Sequence, residues 1–168
     1  MQLVAYNKGN ILHMGVNMNR VEKEQFIFGS ILLLANKLQI FGDKLFTDFT
    51  LKQWFLIIMM SKMENKEPTV REISDFTGTT RQNVKKMLLP LENKGFVAVE
   101  KSATDGRALK VSLTDKSYQY FNDHKNDSEI IVDRIFTAIG EEDLDTVIRV
   151  FNALFATISN IENNEVKI

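Results

Sequence analysis

The chain has 168 residues, of which 44% are hydrophobic and 26% charged, with 8 glycines and 2 prolines. This composition is typical of a globular protein of about one domain, and so few Gly and Pro disfavour an all-β fold. The absence of cysteine excludes disulfide scaffolds, thiolate metal sites, catalytic thiols and a thiol-oxidation trigger in this chain. With only two histidines, His13 and His124, a histidine metal site or a His-dependent triad is disfavoured too.

The charge is unevenly distributed along the chain, although the net charge is only −1. Residues 1–80 carry a balance of +1 and residues 111–168 a balance of −6. Residues 81–110, in contrast, carry seven basic and three acidic side chains, a balance of +4. A short cationic segment in a mildly acidic chain indicates that any contact with a polyanion is local to that segment.

The first half of the chain is predicted to contain two long apolar helices. From Val21 onward apolar residues recur at spacings of three and four, which predicts a helix that ends at Gly42. Thr50 and Gln53 form the T-x-x-Q pattern of a capping box at the start of the next helix. Its residues 54–60 are all apolar, so we expect this helix to be buried on most sides.

The next two helices are predicted to form a helix-turn-helix. Thr69 and Glu72 make a second capping box, which starts a helix of about eight residues that stops at Gly78. The inward-facing residues of this helix are expected to be Val70, Ile73 and Phe76. A further helix starts at residues 79–80 and ends at Gly95, and the short Gly-containing turn between the two is typical of this motif.

A β-hairpin is predicted directly after the helix-turn-helix. Residues 96–99 are rich in β-formers, and Leu109, Val111 and Leu113 alternate with polar neighbours as on a half-buried strand. Residues 102–107, which include Asp-Gly, predict the turn between the strands. A hairpin in this position is a wing.

The C-terminal third is predicted to be helical and to form a dimer interface. Thr114 caps a helix that runs to about Ala138, and Gly140 separates it from a second helix. The second helix has a heptad seam of Leu144, Val147, Phe151, Leu154, Ile158 and Ile161. We expect this seam to pair with a second copy of the chain, together with Ile27, Ile31 and Leu34 of the first helix; the alternative is packing within one chain.

Candidate DNA contacts follow from how a helix-turn-helix docks, because its second helix presents its N-terminal residues to the major groove. Arg can bond guanine twice, Gln and Asn can do the same for adenine, and Lys and Thr suit phosphates. On the second helix the candidates are Thr79, Thr80, Arg81, Gln82, Asn83, Lys85 and Lys86. On the wing, Arg107 can enter a narrow minor groove, flanked by Lys101 and Lys110 as phosphate partners. The alternatives are an ordinary solvated face and, for Arg107, an ion pair that stabilises only the turn.

The ordered set of motifs resembles the MarR family of bacterial winged-helix regulators over roughly residues 22–160. The residues that carry the resemblance are Thr50-x-x-Gln53-Trp54, Pro68-Thr69-Val70-x-Glu72-Ile73, Thr80-Arg81-Gln82-Asn83-Val84, Leu88-x-x-Leu91-Glu92-x-x-Gly95-Phe96-Val97, Asp105-Gly106-Arg107 and Val111-x-Leu113-Thr114. The resemblance implies a two-fold dimer that binds a near-palindromic operator, usually as a repressor that a ligand releases. It also implies that Asp105 braces Arg107, and that a small aromatic or anionic effector can bind.

Two residues depart from what the resemblance implies. Thr104 stands where family wings often carry another Arg, so we expect no second minor-groove contact from the wing. Pro90 lies about ten residues into the recognition helix, where it lacks an N–H and crowds the carbonyl of Lys86. We expect a kink or an early unravelling of the helix there.

The predicted fold is mainly α: a winged helix-turn-helix domain of helices plus a β-hairpin wing, with N- and C-terminal helices that form a dimerisation region. The expected boundaries are a flexible arm at 1–20, a dimerisation helix at 21–45, the DNA-binding domain at 46–113, C-terminal dimerisation helices at 114–162 and a tail at 163–168.

The functional hypothesis is a cytoplasmic, sequence-specific DNA-binding homodimer that regulates transcription, without a cofactor or metal. The N-terminus lacks the pattern of a signal peptide, and the longest uninterrupted apolar run, residues 54–60, is too short to cross a membrane. An enzyme is disfavoured because no nucleophile–base pair, metal cluster or phosphate loop is recognisable. The alternative is a winged-helix module for protein–protein contact without a DNA operator.

Overall fold

The structure, a computed structural model, describes residues 18–101 and 108–164. The elements in chain order are α1 (Arg20–Leu45), α2 (Leu51–Lys62), α3 (Val70–Thr77), α4 (Arg81–Asn93), β1 (Val97–Lys101), β2 (Leu109–Leu113), α5 (Asp115–Asp123), α6 (Lys125–Phe136) and α7 (Glu141–Asn163). The predicted mainly α architecture with a hairpin wing is confirmed. The chain divides into two compact units, Met1–Tyr118 and Gln119–Ile168, and the boundary falls within α5.

Helix α1 is longer than predicted because Gly42 does not end it. The helix starts at a capping box of Asn19 and Glu22 and continues to Leu45, and the N–H of Phe46 still donates to the carbonyl of Gly42 at 3.1 Å. Gly42 is instead a close-packing position: a Cβ built there would lie 2.8 Å from the Cβ of Leu51 on α2. The missing side chain allows the two helices to approach each other.

The core of the first unit lies where α2, α3 and α4 meet the hairpin. Each element contributes apolar residues that are less than about a tenth exposed: Leu56, Ile57 and Met60 from α2, Val70 and Ile73 from α3, Val84, Leu88 and Leu91 from α4, and Phe96, Val97 and Val111 from the hairpin. Each such side chain stabilises the fold by about 1.5–3 kcal/mol through burial. This core sets the orientation of the helix-turn-helix.

Phe76 is an exception to the predicted inward face of α3, since its side chain is 47% exposed. The buried positions are Val70, Ile73 and Ser74, which lie three and four residues apart on one side of the helix. Phe76 lies about 110° around the helix from that side, so the prediction that it faces inward is wrong.

The two strands form an antiparallel hairpin in which Val97 pairs with Leu113 and Lys101 with Leu109. The N–H of Val111 donates to the carbonyl of Pro68 at 2.9 Å, and Thr69 forms an isolated bridge with Lys110. The segment before α3 therefore lies along the free edge of β2, which attaches the wing to the start of the helix-turn-helix.

Pro90 lies in the last turn of α4, whose helical backbone continues to Asn93. The expected early unravelling is wrong, because the helix continues through Pro90 although its nitrogen cannot donate to the carbonyl of Lys86. The N–H of Lys94 still donates to the carbonyl of Pro90 at 3.1 Å. Beyond it, Gly95 adopts a positive φ of 73°, as expected for a glycine that follows a helix.

The C-terminal helices differ from the sequence-based expectation at one point. The single helix predicted from Thr114 to Ala138 is two helices, α5 and α6, separated at His124, whose φ and ψ of −107° and 14° are not helical. The ring of His124 stacks on Tyr120 with centroids 4.1 Å apart. Helix α7 starts after Gly140, as predicted, and its heptad side chains are exposed or half-buried.

Among the described helices, α1 alone is long and apolar enough, by length and composition, to cross a membrane. Only 6% of its most apolar 18-residue window is buried within the chain. Its C-terminal end is attached to the winged-helix core. Besides the contact at Gly42, the N–H of Leu51 donates to the carboxylate of Asp43 at 2.7 Å.

Replacing Gly42 with alanine tests the close packing of α1 on α2. We expect Gly42→Ala to destabilise the protein by about 1–3 kcal/mol, because overpacking against Leu51 outweighs the better helix propensity of Ala. Gly29→Ala in the same helix is the control. Nothing lies within 4 Å of a Cβ built at Gly29, so this variant should be neutral or stabilising. Urea unfolding measures both, and a stabilising Gly42→Ala would contradict the close packing.

Candidate nucleic-acid interface

The start of α3 is held by a reciprocal capping box. The hydroxyl of Thr69 accepts from the N–H of Glu72 at 3.2 Å, and the carboxylate of Glu72 accepts from the N–H of Thr69 at 2.7 Å and from its hydroxyl at 2.8 Å. These bonds to the backbone and side chain of Thr69 lower the pKa of Glu72 below 4.5, with a smaller contribution from the charge of Lys110. The predicted capping box is confirmed, and it fixes where the first helix of the motif begins.

The wing is joined to this helix start by an ion pair as well as by the backbone. The ammonium of Lys110 lies 3.0 Å from the carboxylate of Glu67, and both side chains are partly exposed. Lys110, a predicted phosphate partner, therefore already has an anionic partner within the protein. A duplex phosphate would have to share it or displace Glu67.

The turn into α4 is also locally determined. Gly78 ends α3 in the left-handed conformation, with φ 64° and ψ 30°, and the N–H of Thr79 donates a hydrogen bond to the carbonyl of Ser74. The hydroxyl of Thr80 accepts from the N–H of Asn83 at 3.2 Å and so caps α4. The side-chain amide of Asn83 lies 3.4 Å from the hydroxyl of Thr79. The Thr80 bond thus fixes the first residue of α4, and the side chain of Asn83 is held beside Thr79.

One face of α4 is buried, and the other carries the predicted DNA-binding residues. Val84 and Leu91 are fully buried and Leu88 is 4% exposed. The predicted residues, in contrast, are all exposed except Thr79, which is half-buried: Thr80, Arg81, Gln82, Asn83, Lys85 and Lys86. Because the apolar face anchors the helix, its polar face is presented rigidly to solvent.

The far end of α4 is anchored independently. The ammonium of Lys94 donates to the carbonyl of Asp48, and that of Lys116 donates to the carbonyl of Lys94 at 2.7 Å. Lys116 also lies 4.6 Å from the ring centroid of Phe96, a cation–π distance. The orientation of α4 is therefore set at both ends.

An open cleft of about 410 Å³ separates the starts of α3 and α4 from the beginning of β2. It is lined by Thr69, Val70, Arg71, Arg81, Lys85, Ala108 and Leu109. Three of these side chains are cationic and none is acidic. The structure thus brings Arg81 and Lys85, predicted from the sequence, next to Arg71, which was not predicted.

Arg71 was missed because it belongs to the segment 1–80, whose charge is nearly balanced. Its side chain is 73% exposed and forms only a long ion pair, 3.7 Å, with Asp75 one turn later. The one sequence feature that could have indicated it is its place two residues after the capping Thr69, where a side chain lies at the helix start.

The wing residues are only partly accounted for. Lys101 is exposed at the end of β1, and Lys110 lies beside Glu67. Asp105 and Arg107 lie outside the described residues, so their predicted contacts stay predictions. Within residues 18–101 and 108–164, no group of three or more His, Asp or Glu side chains is placed to hold a metal ion.

The lowered pKa of Glu72 predicts an acid-sensitive contribution to stability. Because the folded-state pKa lies below the unfolded value of 4.5, ionised Glu72 stabilises the fold above that pH, and the contribution is lost as the pH falls through the lowered pKa. Glu72→Gln keeps the capping pattern but not the charge. The stability difference between wild type and variant should be largest near about pH 7 and smallest near about pH 3, by denaturant unfolding. A difference independent of pH would contradict this.

Comparisons with known proteins agree with this geometry. Residues 47–108, which span the helix-turn-helix and much of the wing, match the family model MarR_2, described as MarR family. A comparison with curated protein sequences gave no significant match.

Solved structures extend the likeness beyond the matched segment. A MarR/EmrR family transcriptional regulator from Acinetobacter sp. ADP1 is 19% identical and has a TM-score of 0.70 over 82% of this chain and 97% of its own. FabT from Streptococcus pneumoniae, solved in complex with DNA, is 21% identical with a TM-score of 0.60 over 82% and 99%. MepR from S. aureus, also solved as a DNA complex, is 15% identical with a TM-score of 0.68 over 76% and 94%. The resemblance found in the sequence is confirmed: residues 47–108 match the MarR family model, and the chain shares the fold of the solved MarR-family regulators.

Proposed function

We propose that the protein is a cytoplasmic, sequence-specific DNA-binding regulator of transcription that acts as a homodimer. The observation that carries the proposal is the exposed, capped polar start of α4 on a helix whose opposite face is buried. Gln82 and Asn83 are the side chains suited to base edges, Lys85 and Lys86 are suited to phosphates, and the guanidinium of Arg81 is suited to either. FabT and MepR, which share the fold, were each solved in complex with DNA, and this supports DNA binding as the role of this chain.

The wing completes the proposed contact. We assign Arg107 to a minor groove, with Asp105 as its brace, and Lys101 to a phosphate. Lys110 has a double role: its ion pair with Glu67 positions the wing, and its charge adds to the field that attracts a duplex.

Dimerisation is supported by apolar side chains that the single chain leaves exposed. On α7 these include Phe151 at 41%, Phe155 at 68% and Ile158 at 52% exposure. On α1 they include Ile27, Ile31 and Leu34. Exposed apolar stripes of this length normally mark an interface, and a second copy offers the same heptad pattern in return.

A second copy covers α1 better than a membrane does. The C-terminal end of this helix is packed on α2 through Gly42 and Asp43, so it cannot leave the winged-helix core without breaking those contacts. We therefore place α1 in the dimer and the protein away from the membrane.

The regulatory part of the proposal is a repressor that occupies a near-palindromic operator and is released by a small aromatic or anionic effector. A two-fold dimer presents α4 twice, which requires half-sites about 10 bp apart, centre to centre. Release by an effector is supported by the resemblance of the motifs to the MarR family.

Two variants of α4 separate base reading from phosphate binding. Duplexes selected from a random pool give the operator, and a scrambled duplex of equal length is the reference. Gln82→Ala should weaken operator binding by about 1–3 kcal/mol and leave the scrambled duplex nearly unaffected. Lys85→Ala should weaken both duplexes alike and make the salt dependence of log K less steep.

The reverse pattern would contradict the proposed docking of α4. In that pattern Lys85→Ala weakens binding to the operator alone, and Gln82→Ala weakens binding to both duplexes alike. An affinity for DNA that does not fall with added salt would contradict phosphate binding altogether.

A charge placed in the seam of α7 tests the dimer. Phe151→Glu buries a carboxylate in the proposed interface and should shift the protein from dimer to monomer in sedimentation equilibrium. Asn160→Glu puts the same charge about 180° around the helix and should leave the dimer intact. Equal behaviour of the two variants would contradict an interface along this seam.

A further inference from the structure

We propose that Arg71, together with Arg81 and Lys85, holds one backbone phosphate of the bound duplex in the cleft between α3, α4 and β2. The inference deepens the proposed function and rests on it. It adds a residue from the first helix of the motif, outside the cationic segment 81–110, to a contact surface otherwise made of α4 and the wing.

The cleft has the charge that a phosphate requires. Three cationic side chains line its wall, without a carboxylate among the lining residues. Among residues 18–101 and 108–164, three carboxylates near the cleft have other partners: Glu72 bonds Thr69, Glu67 pairs with Lys110, and Asp75 lies 3.7 Å from the guanidinium of Arg71. A group that carries negative charge is therefore attracted to the cleft rather than repelled.

The backbone around the cleft is held in position. Arg71 follows the capping box of Thr69 and Glu72, and Thr69 is bridged to β2 through Lys110. Arg81 and Lys85 are four residues apart on one face of α4, one turn from each other. The three cations thus project from two fixed helix starts, which lowers the entropy lost when they converge on one anion.

Arg71 is free to turn toward a phosphate. Its side chain is 73% exposed, and an exposed i,i+4 pair at 3.7 Å contributes little to stability. A guanidinium also binds a phosphate with two parallel N–H donors, which Asp75 does not receive at that distance. Exchange of Asp75 for a phosphate is therefore favourable.

The test is the salt dependence of binding of the full chain to a 30-bp duplex of random sequence. Arg71→Gln should lower the slope of log K against log salt by about 0.9 for each protomer that contacts the duplex. Arg71→Lys should restore the slope because it retains the charge. Arg20→Gln is the matched control, because it also removes an exposed arginine paired with a carboxylate four residues later, and its slope should equal that of wild type.

The outcomes separate this inference from the proposed function. A steep wild-type slope that Arg71→Gln does not change overturns the phosphate contact of Arg71 but leaves DNA binding by α4 in place. A wild-type protein without salt-dependent DNA binding overturns both. A slope that Arg71→Lys fails to restore would indicate a structural role for Arg71 and also overturns the inference.

A second arm separates a duplex phosphate from a free one. Inorganic phosphate is titrated at constant ionic strength while the backbone amides of Val70, Arg71 and Lys85 are followed by NMR. Weak binding that the duplex prevents is the expected result. Tighter binding of inorganic phosphate than of the duplex would assign the cleft to a free anion and overturn the inference.

Discussion

The reciprocal capping of Thr69 and Glu72 is the interaction on which the winged-helix unit most depends. It fixes the first residue of α3, and the same threonine bridges to Lys110 on β2. One residue thus belongs to the helix-turn-helix, to the edge of the wing and to the wall of the cationic cleft. If α3 began one residue earlier or later, Arg71 would turn by about 100° and leave the cleft.

The surface proposed for DNA also depends on which of its cationic side chains are paired with carboxylates. The protein pairs Lys110 with Glu67 and Arg71 with Asp75, but no carboxylate is among the described residues that line the cleft itself. The ion pairs are exposed and contribute little to folding. In the proposed complex, binding exchanges the weak internal partner of Arg71 for a phosphate that accepts two parallel hydrogen bonds.

The apolar faces of α1 and α7, unlike the cationic surface, expose large hydrophobic side chains to water in the single chain. In the proposed dimer a second copy removes this surface, and the gain per buried methylene is about 0.8 kcal/mol. Dimerisation and DNA binding are then coupled by geometry alone. Two copies of α4 reach two half-sites at once, and each contact raises the effective concentration of the other.

Much of the fold could be predicted from the sequence, because its determinants are local. The capping boxes at Thr50 and Thr69, the left-handed Gly78 and the heptad of α7 each depend on residues a few positions apart. The errors arose where distant residues decide. Gly42 packs on Leu51 rather than ending α1, and Phe76 faces solvent because the core lies on the other side of α3.

The candidate site, like the fold, could be predicted where its determinants are local. The exposed start of α4 follows from the motif, since a helix with Val84, Leu88 and Leu91 on one face must present its polar residues on the other. The pairing of Lys110 with Glu67 could not be predicted, because it depends on how the segment before α3 lies along β2. Spacing in the sequence carries no information about such a contact between residues 43 positions apart. Arg71 was missed because the charge of its own segment is nearly balanced.

Hydrogen–deuterium exchange with and without the selected duplex tests most directly whether the two helix starts form the DNA-binding surface. Amides in the first turn of a helix lack intrahelical partners and exchange readily, so contact with a duplex changes them strongly. The predicted result is slower exchange at residues 69–72 and 80–86, with α7 unchanged. Slower exchange confined to α7, with the starts of α3 and α4 unaffected, would contradict the assignment of this surface to DNA.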